Sequence, residues 1–185
     1  MSENQTIQEL LIKAKQRDIE AAKEILRRIS DKMYFITRLY VADHEQARKV
    51  EQAGLKKVFS SLKEVTNPEW FECWAAETVR KEAIAHVLPL EESTTNSNMY
   101  TEADEIPNYM AVLPETVEGK KYQVLEMMDK LSKGARAALA LHLYDGLSIE
   151  ESAKLLMSTP QSVMSWLTEA KDTLMSGGYN LGTLI

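Results

Sequence analysis

The stretch from Leu131 to Leu174 constrains this chain most, because two punctuation marks cut its apolar helical pattern into three short pieces. Asp145-Gly146 ends the first piece, since glycine reaches positive φ without a steric penalty. Ser148-Ile149-Glu150-Glu151 has the form of a capping box, with Ser148 as N-cap and Glu151 reaching back to it. The second piece runs only through Met157. Thr159-Pro160 then restarts the chain with a hydroxyl cap and a proline at the first helical position, where its missing N–H is harmless. Two such helices about a tight turn are the signature of a helix-turn-helix. In the third piece Val163, Leu167, Ala170 and Leu174 form one apolar stripe at helical spacing. Ala153 and Leu156 face it from the preceding helix, and Leu139, Leu141 and Leu143 supply a third wall. Spacing alone also fits a small three-helix bundle that binds nothing.

The rest of the chain sets the class. Its 185 residues suit one domain or two small ones. The 44% hydrophobic content supports globular cores, and few prolines, few glycines and no alternating β-branched runs favour an all-α protein. No apolar run approaches membrane-spanning length, and the start MSENQTIQE has neither a basic opening nor an apolar core, so neither a membrane partner nor a secretory signal is expected. The single Cys73 excludes an internal disulfide and suits a reducing, cytoplasmic location; between Phe71 and Trp74 it reads as a small buried hydrophobe.

The net charge of −6 is confined to one segment. Residues 1–88 hold 15 Lys/Arg against 14 Asp/Glu, and residues 120–185 hold seven of each. Residues 89–119 hold seven Asp/Glu and no Lys or Arg. Neither flank is a basic module, so strong phosphate-driven affinity for free DNA is not expected.

Along the first half, Thr6 to Glu9 forms a second capping box and Asp18 caps a helix carrying Ala22, Ile25, Leu26 and Ile29. Met33, Tyr34, Ile36, Leu39 and Tyr40 continue its apolar face. Asp43 starts a helix expected to reach about Val65, interrupted by Gly54, which implies close packing or a bend. Asn67-Pro68 opens another through Val87, with Trp70, Phe71, Trp74, Ala75, Thr78 and Val79 on its apolar side. Glu91 to Asn98 has no periodicity and little hydrophobicity, as expected of a tether. The short apolar groups Ile106-Pro107, Tyr109-Met110 and Val112-Leu113-Pro114 are candidate docking anchors within it. The expectation is therefore all-α: two small helical domains over 5–88 and 120–176, an acidic linker over 89–119, and a tail over 177–185.

Catalytic chemistry finds no foothold. His44, His86 and His142 are far apart in sequence, no His/Cys/carboxylate set has metal-ligand spacing, and no glycine loop could cradle a phosphate. No enzyme activity, cofactor or metal is expected.

A series of residues in the second half, Leu131, Arg136, Leu139, Leu141, Tyr144, Gly146-Leu147-Ser148, Glu151, Ala153, Leu156, Val163, Ser165, Leu167, Ala170-Lys171 and Leu174, resembles region four of bacterial RNA polymerase sigma factors of the extracytoplasmic-function type. In the first half Asp18, Ala21-Ala22, Tyr34, Arg38-Leu39, Asp43, Ala47, Val50-Glu51-Gln52, Phe71, Trp74, Arg80 and Ala83 are similar, in order, to region two of the same factors. The resemblance implies a transcription initiation factor that binds core RNA polymerase and directs it to promoter DNA. It places Arg48, Lys49, Val50, Glu51 and Gln52 toward the β′ clamp helices, and Trp74, Arg80 and Lys81 toward the −10 element. It places Gln161, Ser162, Met164, Ser165, Trp166 and Lys171 toward the −35 element, with the helix-turn-helix docked on the β flap. It also implies an anti-sigma factor as a candidate partner, and a linker that passes near the polymerase active site or simply tethers the domains.

The sequence departs from the family pattern where DNA would be read. Met164, Trp166 and Glu169 stand where the family usually carries Lys or Arg, Glu72 and Glu77 replace basic residues, and Arg48-Lys49 reverse an acidic pair. The rival reading is a diverged sigma-like interaction module that binds polymerase or a regulator without reading promoters.

Overall fold

The computed structural model describes residues 5–88 and 121–178. The acidic linker, its three apolar anchors and the tail beyond Gly178 lie outside the described residues. Within them the regular structure is helical: α1 (Ile7–Lys15), α2 (Ile19–Tyr40), α3 (His44–Ser60), α4 (Phe71–Val87), α5 (Lys121–Met128), α6 (Lys133–Leu143), α7 (Ile149–Leu155) and α8 (Pro160–Ser176). The starts of α1, α2, α3, α7 and α8 fall where the sequence places them. Thr6 and Ser148 complete both arms of their capping boxes, and Asp18, Asp43 and Thr159 each accept a backbone N–H from the first turn. Each such cap stabilises its helix by about 1 kcal/mol.

Two helices end earlier than their apolar patterns suggest. Helix α3 stops at Ser60, and Leu62–Glu64 form a 3₁₀ turn that carries Leu62 and Val65 into the core. Pro68–Trp70 is likewise a 3₁₀ turn ahead of α4. Trp70 is therefore 51% exposed, while Phe71, Ala75 and Val79 are fully buried. Thr78 and Cys73 are half-buried. Helix α7 closes at Leu155 through a Schellman arrangement, in which the Ser158 N–H reaches the Ala153 carbonyl and the Met157 N–H the Lys154 carbonyl. Met157 holds the left-handed position of that motif at φ 47°, where glycine is usual.

Among the described residues the interior forms two apolar clusters. One joins α1, the front of α2, the back of α3 and the front of α4 through Leu11, Ile25, Met33, Val58, Phe71 and Val79. Gly54 lets α3 lie directly on α4, since a Cβ there would sit 3.0 Å from the Val79 Cα. The interruption thus reflects close packing, and α3 stays continuous through it.

The other cluster crosses the chain. Phe35, Leu39, Tyr40 and Val41 at the end of α2, with Ala83, Ile84 and Val87 of α4, pack into the same core as Met127, Leu139, Leu141, Val163 and Leu174. Sequence periodicity shows that each helix has an apolar stripe. It does not show that the stripes of the two halves are spent on each other.

Candidate nucleic-acid interface

Helix α8 is seated by its own stripe. Val163, Ala170 and Leu174 are fully buried against α6 and α7, with Leu167 partly buried beside them. This leaves Gln161, Met164, Ser165, Thr168, Glu169, Lys171 and Asp172 facing out. Ser162 is half-buried, its backbone N–H bonded to the Thr159 hydroxyl as part of the cap. Met164 is 55% exposed. The outward face offers one amide, two hydroxyls, a thioether and one ammonium against two carboxylates. That set can form hydrogen bonds and apolar contacts to base edges, but contributes little net attraction to phosphate.

Trp166 is not part of that face. Its indole lies across Gly134 at the start of α6, so closely that a Cβ on Gly134 would stand 2.5 Å from two ring atoms. It packs against the shared core and sets the spacing of α6 and α8.

The candidates on α4 separate in the same way. Trp74 is half-buried, tilted against Phe71 with ring centroids 6.4 Å apart, and packs on the first core. Lys81 is exposed, 3.6 Å from Glu77. Arg80 is only 8% exposed. Its Nη1 lies 2.9 Å from Asp145 Oδ1, its Nη2 donates to Glu77, and Asp145 Oδ2 accepts the Tyr40 hydroxyl. Burial opposes the Arg80 charge, but the Asp145 and Glu77 carboxylates outweigh it and push its pKa up. Burial pushes the Asp145 carboxyl above its ordinary value against the pull of Arg80. Burial, reinforced by the Asp145 charge, raises the Tyr40 phenol well above its own.

On α3, the segment Arg48 to Gln52 divides by helical period. Val50 enters the shared core, and Glu51 is 2% exposed, accepting from the Ser30 hydroxyl at 2.9 Å and from Arg48 at 3.0 Å. Arg48 also lies 3.7 Å over the Tyr34 ring. Lys49 pairs with Glu45 at 2.8 Å, and Gln52 is exposed. Lys49, Gln52 and the half-exposed Arg48 are thus the members of the set open to a partner.

A second polar contact crosses between the halves. Arg38 and Arg136, each 1% exposed, share the Asp129 carboxylate at 2.8 and 2.6 Å. Arg136 also donates to the Arg38 carbonyl at 2.9 Å. Burial lowers the Arg136 pKa, with Asp129 opposing the shift. Among the described residues the Nε atoms of Arg38, Arg80 and Arg136 find no hydrogen-bond partner. An unsatisfied buried donor costs about 1–3 kcal/mol. The available signal for this network was an arginine inside an otherwise apolar helical face, at 38 and again at 136; the identity of its carboxylate partner depends on the packing.

Among the described residues no group of three or more His, Cys, Asp or Glu could hold a metal ion, and no helix is long and apolar enough to cross a membrane.

Residues 121–174 match the family model described as Sigma-70, region 4. This is the half in which the series from Leu131 to Leu174 was read. No curated protein matches the chain by sequence. Among solved structures, that of CnrH in complex with the cytosolic domain of CnrY is similar, with a TM-score of 0.40 and 14% identity over 91% of this chain and 94% of that one.

Proposed function

We propose that this sigma-like transcription factor, whose residues 121–174 match region 4 of the sigma-70 family, binds core RNA polymerase and brings it to promoter DNA. In this reading it is of the extracytoplasmic-function type, with region two over 5–88. The observation that carries the reading is the seated helix-turn-helix, whose α8 presents Gln161, Met164, Ser165 and Lys171 on one open face. That face would meet the −35 element, with Thr159 capping the helix by accepting the Ser162 N–H and Trp166 holding it at the right height. Helix α4 would face the −10 element through Lys81 and, when free, Arg80. Lys49 and Gln52 of α3 would meet the β′ clamp helices, with Val50 and Glu51 fixing that helix from behind. Region 4 would dock on the β flap, and an anti-sigma-type protein is a further partner suggested by the resemblance of both halves.

The balance of charge says how affinity would arise. A protein that neutralises several phosphates gains a steeply salt-dependent affinity, whereas α8 offers one lysine beside two carboxylates. Specific DNA binding would therefore come mainly in complex with polymerase. The same balance favours a second reading, a sigma-like module that binds polymerase or a regulator without reading promoters.

One experiment separates the two. The purified chain is mixed with bacterial core polymerase, and both complex formation and transcription from a genomic promoter library are measured. Initiation at a defined subset of promoters supports the first reading. Complex formation with no initiation anywhere in the library leaves only the second.

A further inference from the structure

We infer that the chain latches itself shut: Asp145, in the turn between α6 and α7, clasps Arg80 and Tyr40 of the first half, and this clasp must open before α4 can engage DNA. The inference rests on the reading above of α4 as a DNA-facing helix.

The geometry is that of an occupied anion site. Asp145 places one carboxylate oxygen 2.9 Å from Arg80 Nη1, with its other oxygen on the Tyr40 hydroxyl, and both charged side chains are under 10% exposed. A DNA phosphate would need the same guanidinium, so carboxylate and phosphate exclude one another there. The contact joins residues 65 positions apart, on opposite sides of the acidic segment. Asp129 makes a second such bond by drawing Arg38 of α2 against Arg136 of α6.

The closed contact is also built to be reversible. A small cavity remains between Ile36, Ala76, Tyr144 and the Arg80–Asp145 pair. Arg38, Arg80 and Arg136 each keep an Nε with no partner among the described residues. Opening would return these donors to water, which offsets part of the loss of apolar contact. A partner that binds only the open form then sees an affinity reduced by the open fraction.

The test uses the full chain with Cys73→Ser and paired dyes at Lys63→Cys and Lys154→Cys, both exposed and on opposite halves. Asp145→Lys sets two cations against each other in the clasp, and Asp145→Asn is the milder variant. Energy transfer is expected to be high in the parent and lower in both variants, with helix content by circular dichroism unchanged. The apparent Kd for a promoter fragment in the presence of core polymerase should fall roughly tenfold for Asp145→Asn, within the usual range of a conformational coupling. If neither variant changes the energy transfer, there is no latch. If they open but polymerase and promoter affinity stay at the parent level, the clasp does not restrain function. If no form of the chain binds polymerase or promoter, the functional reading fails and takes the restraining role with it, while the energy transfer still reports whether Asp145 closes the chain.

Discussion

Gly134→Ala exposes what Trp166 does. Alanine in place of glycine ordinarily favours a helix by up to about 1 kcal/mol, and less in the first turn, where Gly134 lies. Here the new methyl group would sit 2.5 Å from Cε2 and Nε1 and 2.9 Å from Cδ2 of the Trp166 ring. Carbon contacts are comfortable at about 3.5–4.0 Å, so the ring must retreat by about 1 Å. Because the indole is wedged against the shared core, that retreat is an overpacking event costing about 1–3 kcal/mol. The net expectation is a destabilisation of about 1–2 kcal/mol, or a Tm lower by about 2–8 °C at this chain length. In a Trp166→Ala background the methyl group meets no ring, and the same substitution should stabilise by up to about 1 kcal/mol. The double-mutant cycle should therefore give a coupling of about 1–3 kcal/mol. Urea unfolding followed by far-ultraviolet circular dichroism measures it without relying on the tryptophan being removed. Should Gly134→Ala stabilise the chain equally in both backgrounds, Trp166 does not rest on α6, and its assignment as a spacer rather than a DNA contact collapses.

Gly54→Ala brings a Cβ to 3.0 Å from the Val79 Cα, backbone that cannot swing aside, so it should destabilise by about 1–3 kcal/mol despite the gain in helix propensity. Denaturant midpoints for Gly54→Ala and a surface control such as Ala53→Gly would test this. Met157→Gly relieves a left-handed residue at φ 47° and should raise stability by up to about 1 kcal/mol; an unchanged or lower Tm would contradict the Schellman assignment. Asp129→Ala leaves Arg38 and Arg136 facing each other without their shared carboxylate, and since Asp129 is itself partly exposed the expected cost is about 1–3 kcal/mol by chemical denaturation. The Glu24 carboxyl, hydrogen-bonded by Arg27 and Arg28, is held down from its ordinary 4.5 to about 2. A carboxyl with a lowered folded pKa contributes its stability above 4.5 and loses it as pH falls toward 2. Carbon-detected NMR titration of the parent and of Arg28→Ala should show the midpoint move upward in the variant.

Much of the local architecture was legible along the chain, because helix starts are governed by short-range chemistry. Thr6, Asp18, Asp43, Ser148 and Thr159 each cap a helix by bonding a backbone N–H three residues on, an interaction that needs nothing from elsewhere in the molecule. The stripe Val163–Ala170–Leu174 follows for the same reason, since one helical period decides which side is apolar. The second half's resemblance to region four was readable too, and the family model described as Sigma-70, region 4, matches residues 121–174. What a stripe packs against is not a local property. Arg80 and Lys81 are adjacent in sequence, yet one is buried on a carboxylate 65 residues away and the other is exposed to water. Trp166 looks like a residue of the reading face until Gly134 provides a seat for it. Sequence by itself determined most of the helices, five of their caps and the helix-turn-helix pattern. Only the tertiary structure decided which charges remain free, because an ion pair between distant residues forms only where packing brings its partners within about 4 Å and removes the water between them.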